Sequence, residues 1–171
     1  MSLAEAKQAA IGALEREYQD LETFLRSLTP EQLERPVFTG EGPGWRVRDL
    51  IAHFAFWQTM SARTAEKIAA TGEAPAQETG MFTFLGVEPG LDARNGENFT
   101  AWRERPVHEA LEHLAACHTR LMDAIGALPP ERVVKSGSSE DWYRYFWQPG
   151  VNHLRQHRPH IEAALKENQT T

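Results

Sequence analysis

The sequence predicts an all-α fold, a four-helix bundle with long crossover connections, formed by residues 1–171 as one domain. Three observations carry this. Several long stretches place apolar side chains in alternating steps of three and four, the seam of a helix buried on one side. No stretch alternates apolar and polar residues over a strand's length. Two long connections interrupt the periodic stretches where short turns would be the rule.

The first helix spans residues 3 to 28, with its seam at Ile11, Leu14, Tyr18, Leu21, Leu25 and Leu28. In the following LTPEQLERP, Thr29 caps a short helical turn, Pro30 takes its first position and Pro36 stops it. TGEGPG, residues 39 to 44, is a loop by its glycines and proline. The second helix begins near Trp45 or Arg46 and runs to about Ala70, ahead of Thr71 and Gly72. Val47, Leu50, Phe54, Trp57 and Ile68 mark its buried face, and His53 lies on the same stripe. Residues 71 to 89 show no helical period, and the apolar patch MFTFL at 81 to 85 is expected to lie over one end of the bundle.

A third helical region runs from about Leu91 to Leu128, broken near Arg105 by Pro106. Beyond the break its seam is Val107, Leu111, Leu114, Leu121, Ile125 and Leu128, with Cys117 and His118 beside the missing position. Pro129 and Pro130 end it. Residues 131 to 148 form a second connection, polar and then aromatic (WYRYFW), and Pro149 opens the last helix, which ends before the tail KENQTT.

That last helix carries the chemistry. His153, His157 and His160 are spaced i, i+4 and i+7, one stripe of a helix shared with Leu154, Ile161 and Leu165. Imidazoles turned toward an apolar interior are costly unless their nitrogens are satisfied, and a divalent ion clamped by the i, i+4 pair would do so. HxxxH alone is weak evidence, since a solvent-facing pair has the same spacing and the glutamate of HExxH is absent. An interior histidine on another helix, His53, strengthens it, because ligands converge in a bundle core. Three imidazoles with an open position form a catalytic rather than a closed structural set. His160 is read as exposed by default, with a fourth-ligand or proton-transfer role as the alternative. Cys117 reads as core, and His108 and His113 fall off the seam and read as solvated. For His53 to meet His153 and His157, the second and last helices must run parallel, or antiparallel with a heavy stagger.

Composition narrows the function. The chain has 24 acidic against 18 basic side chains and a net charge of -6, which argues against a nucleic-acid partner. One cysteine excludes an intrachain disulfide framework and fits a reducing compartment. No secretory leader and no apolar run near 20 residues is present, so a cytoplasmic protein that neither spans nor binds a membrane is expected, with the NFT sequon at Asn98 unused.

GWRVRDLIAHFAFW (44 to 57) resembles the second helix of the DinB/YfiT-like superfamily of metalloenzymes, and NHLRQHRPHIEAAL (152 to 165) resembles its last helix. Residues 91 to 131 resemble the third-helix region of maleylpyruvate isomerase-like and ClbS-like relatives. The resemblance covers nearly the whole chain. It implies a helical bundle with a long crossover, often a homodimer, and a divalent metal, commonly zinc or nickel, on His53, His153 and His157. It also implies use of a low-molecular-weight thiol such as bacillithiol, mycothiol or glutathione. The extra C-terminal domain of the mycothiol-dependent isomerases has no counterpart here, so that particular activity is not expected.

The leading expectation is therefore a metal-dependent thiol S-transferase that detoxifies small electrophiles, with His160 as a proton acceptor. Water in place of thiol would make the same centre a hydrolase. A metal-free, ClbS-like binding or resistance protein is the alternative from another class, and a dimeric helical protein with no small-molecule site is the third.

Overall fold

In a computed structural model of the chain, residues 1–38, 44–73, 80–87, 91–134, 146, 150 and 152–166 are described. Helix α1 (Leu3–Arg26) opens on a reciprocal cap: the Ser2 amide donates to the Glu5 carboxylate at 2.7 Å, and the Glu5 amide donates to Ser2 Oγ at 3.3 Å. Leu14, Tyr18, Leu21 and Leu25 of its expected seam are buried. Thr29 and Gln32 cap the short α2 (Pro30–Leu33) in the same manner.

The expectation of no strands needs a small correction. β1 (Pro36–Phe38) pairs antiparallel with β2 (Trp45–Arg46); the loop expected over residues 39 to 44 lies, but for Gly44, outside the described residues. Strands of three and two residues are too short to show a period of two. The Val47 amide then donates to Arg35 O at 2.9 Å, leading into α3 (Val47–Thr71), which ends on Gly72 in the left-handed conformation at φ 70. α3 is buried on more than one stripe: Ile51, Ala52, Ala55, Ala62 and Ala65 join the expected Val47, Leu50, Phe54 and Ile68, together with Gln58, Ser61 and Thr64, while Trp57, also expected on the buried face, is only partly buried. It is the central helix.

The patch at 81 to 85 is not irregular as expected but a single helical turn, α4 (Met81–Leu85). Gly86 at φ 64 closes it, and Lys67 of α3 donates to Phe84 O and lies over the Phe84 ring. The third helical region breaks as expected into α5 (Leu91–Trp102) and α6 (Val107–Ala127), with Pro106 at the α6 cap. A further correction lies after the double proline, where α7 (Pro130–Val133) is one helical turn that buries Val133. Helix α8 spans His153–Lys166 and contains Pro159. Its expected start at Pro149 lies outside the described residues; Gly150 and Asn152 belong to a wider, π-type turn ahead of it. Among the described residues no helix is long and apolar enough to cross a membrane.

Cross-contacts give the helix directions. Thr59 bonds Cys117 at 3.1 Å, Glu66 meets Arg120 at 2.7 Å, and Arg46 reaches Arg103 O at 2.7 Å, so α3 and α6 run parallel. Parallel neighbours need a return path along the helices, and residues 72–106, with α4 and α5, supply the long crossover expected from sequence. Lys7 Nζ donates to Gly126 O and Leu128 O, and Glu15 contacts His118, so α1 runs antiparallel to α6. Arg35 Nη1 donates to Leu165 O at 2.7 Å, while the His153 ring lies 5.2 Å from that of Trp57. The end of α8 thus sits by the start of α3, and α8 covers only the first half of that helix. Of the two arrangements open from sequence, the structure has the staggered antiparallel one.

One apolar cluster joins Leu14, Met60, Ile68, Leu121, Ile125, Leu128 and Phe146; the other joins Tyr18, Leu25, Val47, Leu50, Phe54, Leu114, Leu154 and Ile161. Leu154 and Ile161 bind α8 into the second cluster, turning His153 and His157 toward α3.

Candidate metal centre

His53 sits two turns into α3 and is 6% exposed. α8 brings His153 and His157 to it from its first two turns, both partly buried. One ring nitrogen from each of the three lies within 4.8 Å of the others, and the Nε2 atoms of His53 and His153 are 2.6 Å apart. Ring centroids are separated by 4.7 Å for His53 and His153, 5.3 Å for His53 and His157, and 4.6 Å for His153 and His157.

Burial makes these imidazoles poor bases. Desolvation, reinforced by the charge each would feel from its neighbours, lowers His53 and His153 to about 3. His157, lowered by burial and then by His160, falls to about 4. All three are therefore neutral near pH 7, the protonation state a metal requires of its imidazole ligands. The cluster is all nitrogen, with no carboxylate or thiol among the described residues grouped with it. Such a set suits zinc, nickel, copper or iron, and does not suit magnesium or calcium, which take oxygen. The residues present fit a divalent transition metal.

Aromatic rings wall the cluster. Trp45 meets His53 edge-on at 5.1 Å, Trp57 stands against both His53 and His153, and Phe54 stands against His153 and His157. These contacts limit ring rotation and keep water from one side of the imidazoles. Phe99 of α5 backs Trp45 at 5.1 Å, and Asn98 Nδ2 donates to Ala52 O at 3.2 Å, fixing α5 across α3 beside His53. Trp45 and Phe99 were missed in the sequence, because only the β1–β2 pairing and the placement of α5 across α3 bring them here.

The other histidines separate cleanly. His160 is exposed, as its default reading has it, and its Nδ1 lies 3.4 Å from His157 Nδ1 at the edge of the cluster. His118 is buried on the α1–α6 face, its Nε2 2.9 Å from Glu15 and its ring stacked on Tyr18 at 3.7 Å. His108 is exposed as expected. His113 is not solvated as expected: the Trp102 ring stacks on it at 4.4 Å, and Cys117 Sγ lies 3.6 Å from its Nε2. Cys117 is buried against Thr59, in keeping with a packing role. The aromatic run 142 to 147 lies outside the described residues except for Phe146, which is fully buried in the core.

The fold and the cluster define an all-α protein with three histidines gathered between two staggered helices. Residues 14–147 match the family model described as the mycothiol maleylpyruvate isomerase N-terminal domain, well over half of the chain. The chain belongs to that family, within the DinB/YfiT-like superfamily. His53 lies inside the matched span, while His153 and His157 lie beyond its end, so it is the three-dimensional arrangement that joins them to it. Comparison with curated proteins and with solved structures returned no match.

Proposed function

We propose that the protein is a metal-dependent enzyme that transfers a low-molecular-weight thiol to a small electrophile. The observation that carries this reading is the convergence of three neutral imidazoles from two helices within 4.8 Å. His53, His153 and His157 would hold a divalent ion, zinc or nickel being what the resemblance to the superfamily implies, and three protein donors leave a position open. An ion held there supplies the positive charge that keeps a thiol ligand deprotonated at neutral pH.

The chain's own groups supply the setting. Trp45, Trp57 and Phe54 shield the imidazoles from water and hold their orientation. His160, exposed beside His157, is positioned to take the thiol's proton and pass it to solvent. The family description supports mycothiol as the thiol, with bacillithiol and glutathione as chemical equivalents.

Metal analysis by mass spectrometry on untagged protein tests this directly. About one equivalent of divalent metal is expected, lost in His53→Ala, His153→Ala and His157→Ala and kept in His160→Ala, together with metal-dependent transfer of thiol to a model electrophile such as monochlorobimane. Failure to take up metal even after incubation with zinc and nickel would replace this reading with that of a metal-free binding protein.

A further inference from the structure

We infer that the cavity between α3, the end of α4 and α5 is a binding site for a small organic acid, a carboxylate carried on an apolar or aromatic body. The cavity measures about 240 Å³ and is lined by Phe56, Met60 and Arg63 of α3, Gly86 and Val87 after α4, and Arg94 of α5. Its apolar side is well built: Met60 and Val87 are buried, and Phe56 lies over the Phe82 ring at 6.2 Å.

Its charge runs against the rest of the molecule. The chain is acidic overall, at -6, yet both charged side chains on this wall are arginines. Arg94 is joined to Glu97 at 3.0 Å. Arg63 is partly buried and has no carboxylate at ion-pair distance among the described residues. Glu66, one turn further along α3, is taken by Arg120 at 2.7 Å. Elsewhere in the fold Arg46 holds Asp49 and Glu34 and Arg48 holds Glu34, while Arg35 and Arg132, partly buried like Arg63, donate to backbone carbonyls instead. A guanidinium half-withdrawn from water beside apolar rings, with five donors to satisfy, is the group that binds a planar carboxylate best.

The dimensions set the ligand's size. From Phe56 to Arg63 is seven residues, about 10 Å along the helix axis. A one-ring or short-chain acid spans that distance, its body against Phe56 and Met60 and its carboxylate at Arg63. A cavity this small excludes a nucleotide. Phe56 in turn meets Trp57 edge-on at 5.8 Å, and Trp57 walls His153, so two aromatic rings, Phe56 and Trp57, connect the cavity to the histidine cluster. The inference nevertheless stands on the cavity alone and does not require a metal.

Calorimetric titration of the full-length, chelator-treated protein with phenylacetate and with its neutral amide, phenylacetamide, tests it. The acid is expected to bind about tenfold or more tightly than the amide. Arg63→Gln should abolish that preference, Arg63→Lys should keep part of it, and Arg26→Gln, on α1 and away from the cavity, should leave it intact. Equal binding of acid and amide, no binding of the acid, or an unchanged preference in Arg63→Gln would each overturn the assignment. Hydrogen exchange on the wild type provides a check that needs no variant: the acid must protect residues 56–63 and 80–87, and protection confined to other segments would also overturn it. Because metal is absent from both measurements, failure of the metal reading leaves their outcome unaffected.

Discussion

His53 Nε2 and His153 Nε2 lie 2.6 Å apart, although a hundred residues separate them in the chain and they belong to helices running in opposite directions. Two neutral imidazoles can share one proton at that distance, but a third ring, His157, stands against both. The surroundings make charging any of them unfavourable, so the group is arranged to offer lone pairs.

A ligand that binds only the folded state stabilises it by mass action, by about 2.7 kcal/mol when its concentration is a hundred times Kd. Adding zinc or nickel to chelator-treated protein should therefore raise Tm by several degrees, and removing the metal should reverse the shift. His153→Ala should show no metal-dependent change. Differential scanning calorimetry with and without chelator reads both, and a shift retained in His153→Ala would place the binding elsewhere.

The metal-free protein should lose stability in mild acid. In an unfolded chain a histidine takes up its proton near 6.5, whereas in the fold His53 and His153 resist down to about 3 and His157 to about 4. Between those limits the unfolded state binds more protons, so stability falls as pH drops from about 6.5 towards 4. For His53 alone the slope approaches about 1.4 kcal/mol per pH unit. Urea unfolding across that range should show the loss in the wild type and a shallower one in His53→Leu; equal slopes would mean that His53 does not resist protonation in the fold.

What was legible in the sequence is what local periodicity records. The α1, α3 and α6 seams, the break at Pro106 and the inward stripe holding His53 all follow from residues three and four apart, and the structure has them. Contacts made by chain path alone left no such mark. The β1–β2 pair is too short for a pattern, His113 is covered only because α5 carries Trp102 over it, and the stagger of α8 is set by Arg35 reaching its last turn. Lys7 is the plainest case. A lysine on a charged N-terminal helix reads as solvated, yet it is 7% exposed and bonds carbonyls about 120 residues away.

Lys7 makes a prediction of its own. Its ammonium satisfies Gly126 O and Leu128 O at the end of α6, where the helix leaves carbonyls unpaired and its dipole favours a cation. Lys7→Met keeps the aliphatic stem and removes both bonds. The expected cost is about 1–3 kcal/mol by urea denaturation, whereas Lys67→Met, which removes one bond to the short α4, should cost less. No loss in Lys7→Met would show that water replaces the ammonium there.

Ile161 separates the stability of the fold from the assembly of the histidine centre. It is fully buried in the cluster with Val47, Leu50 and Leu154, and it holds the second half of α8 against the bundle. Ile161→Ala leaves a cavity expected to cost about 2–5 kcal/mol. Leu114→Ala, equally buried but on α6, should cost a similar amount. The two differ in what they carry: α8 supplies two of the three imidazoles and α6 supplies none. Loosening α8 lets His153 and His157 move away from His53, so metal affinity should fall about tenfold or more in Ile161→Ala, the scale on which groups supporting ligands act. It should stay near wild type in Leu114→Ala. Competition with a chromogenic chelator, at a temperature where both variants are folded by circular dichroism, measures this. Equal affinities would mean that the centre does not depend on how α8 is seated.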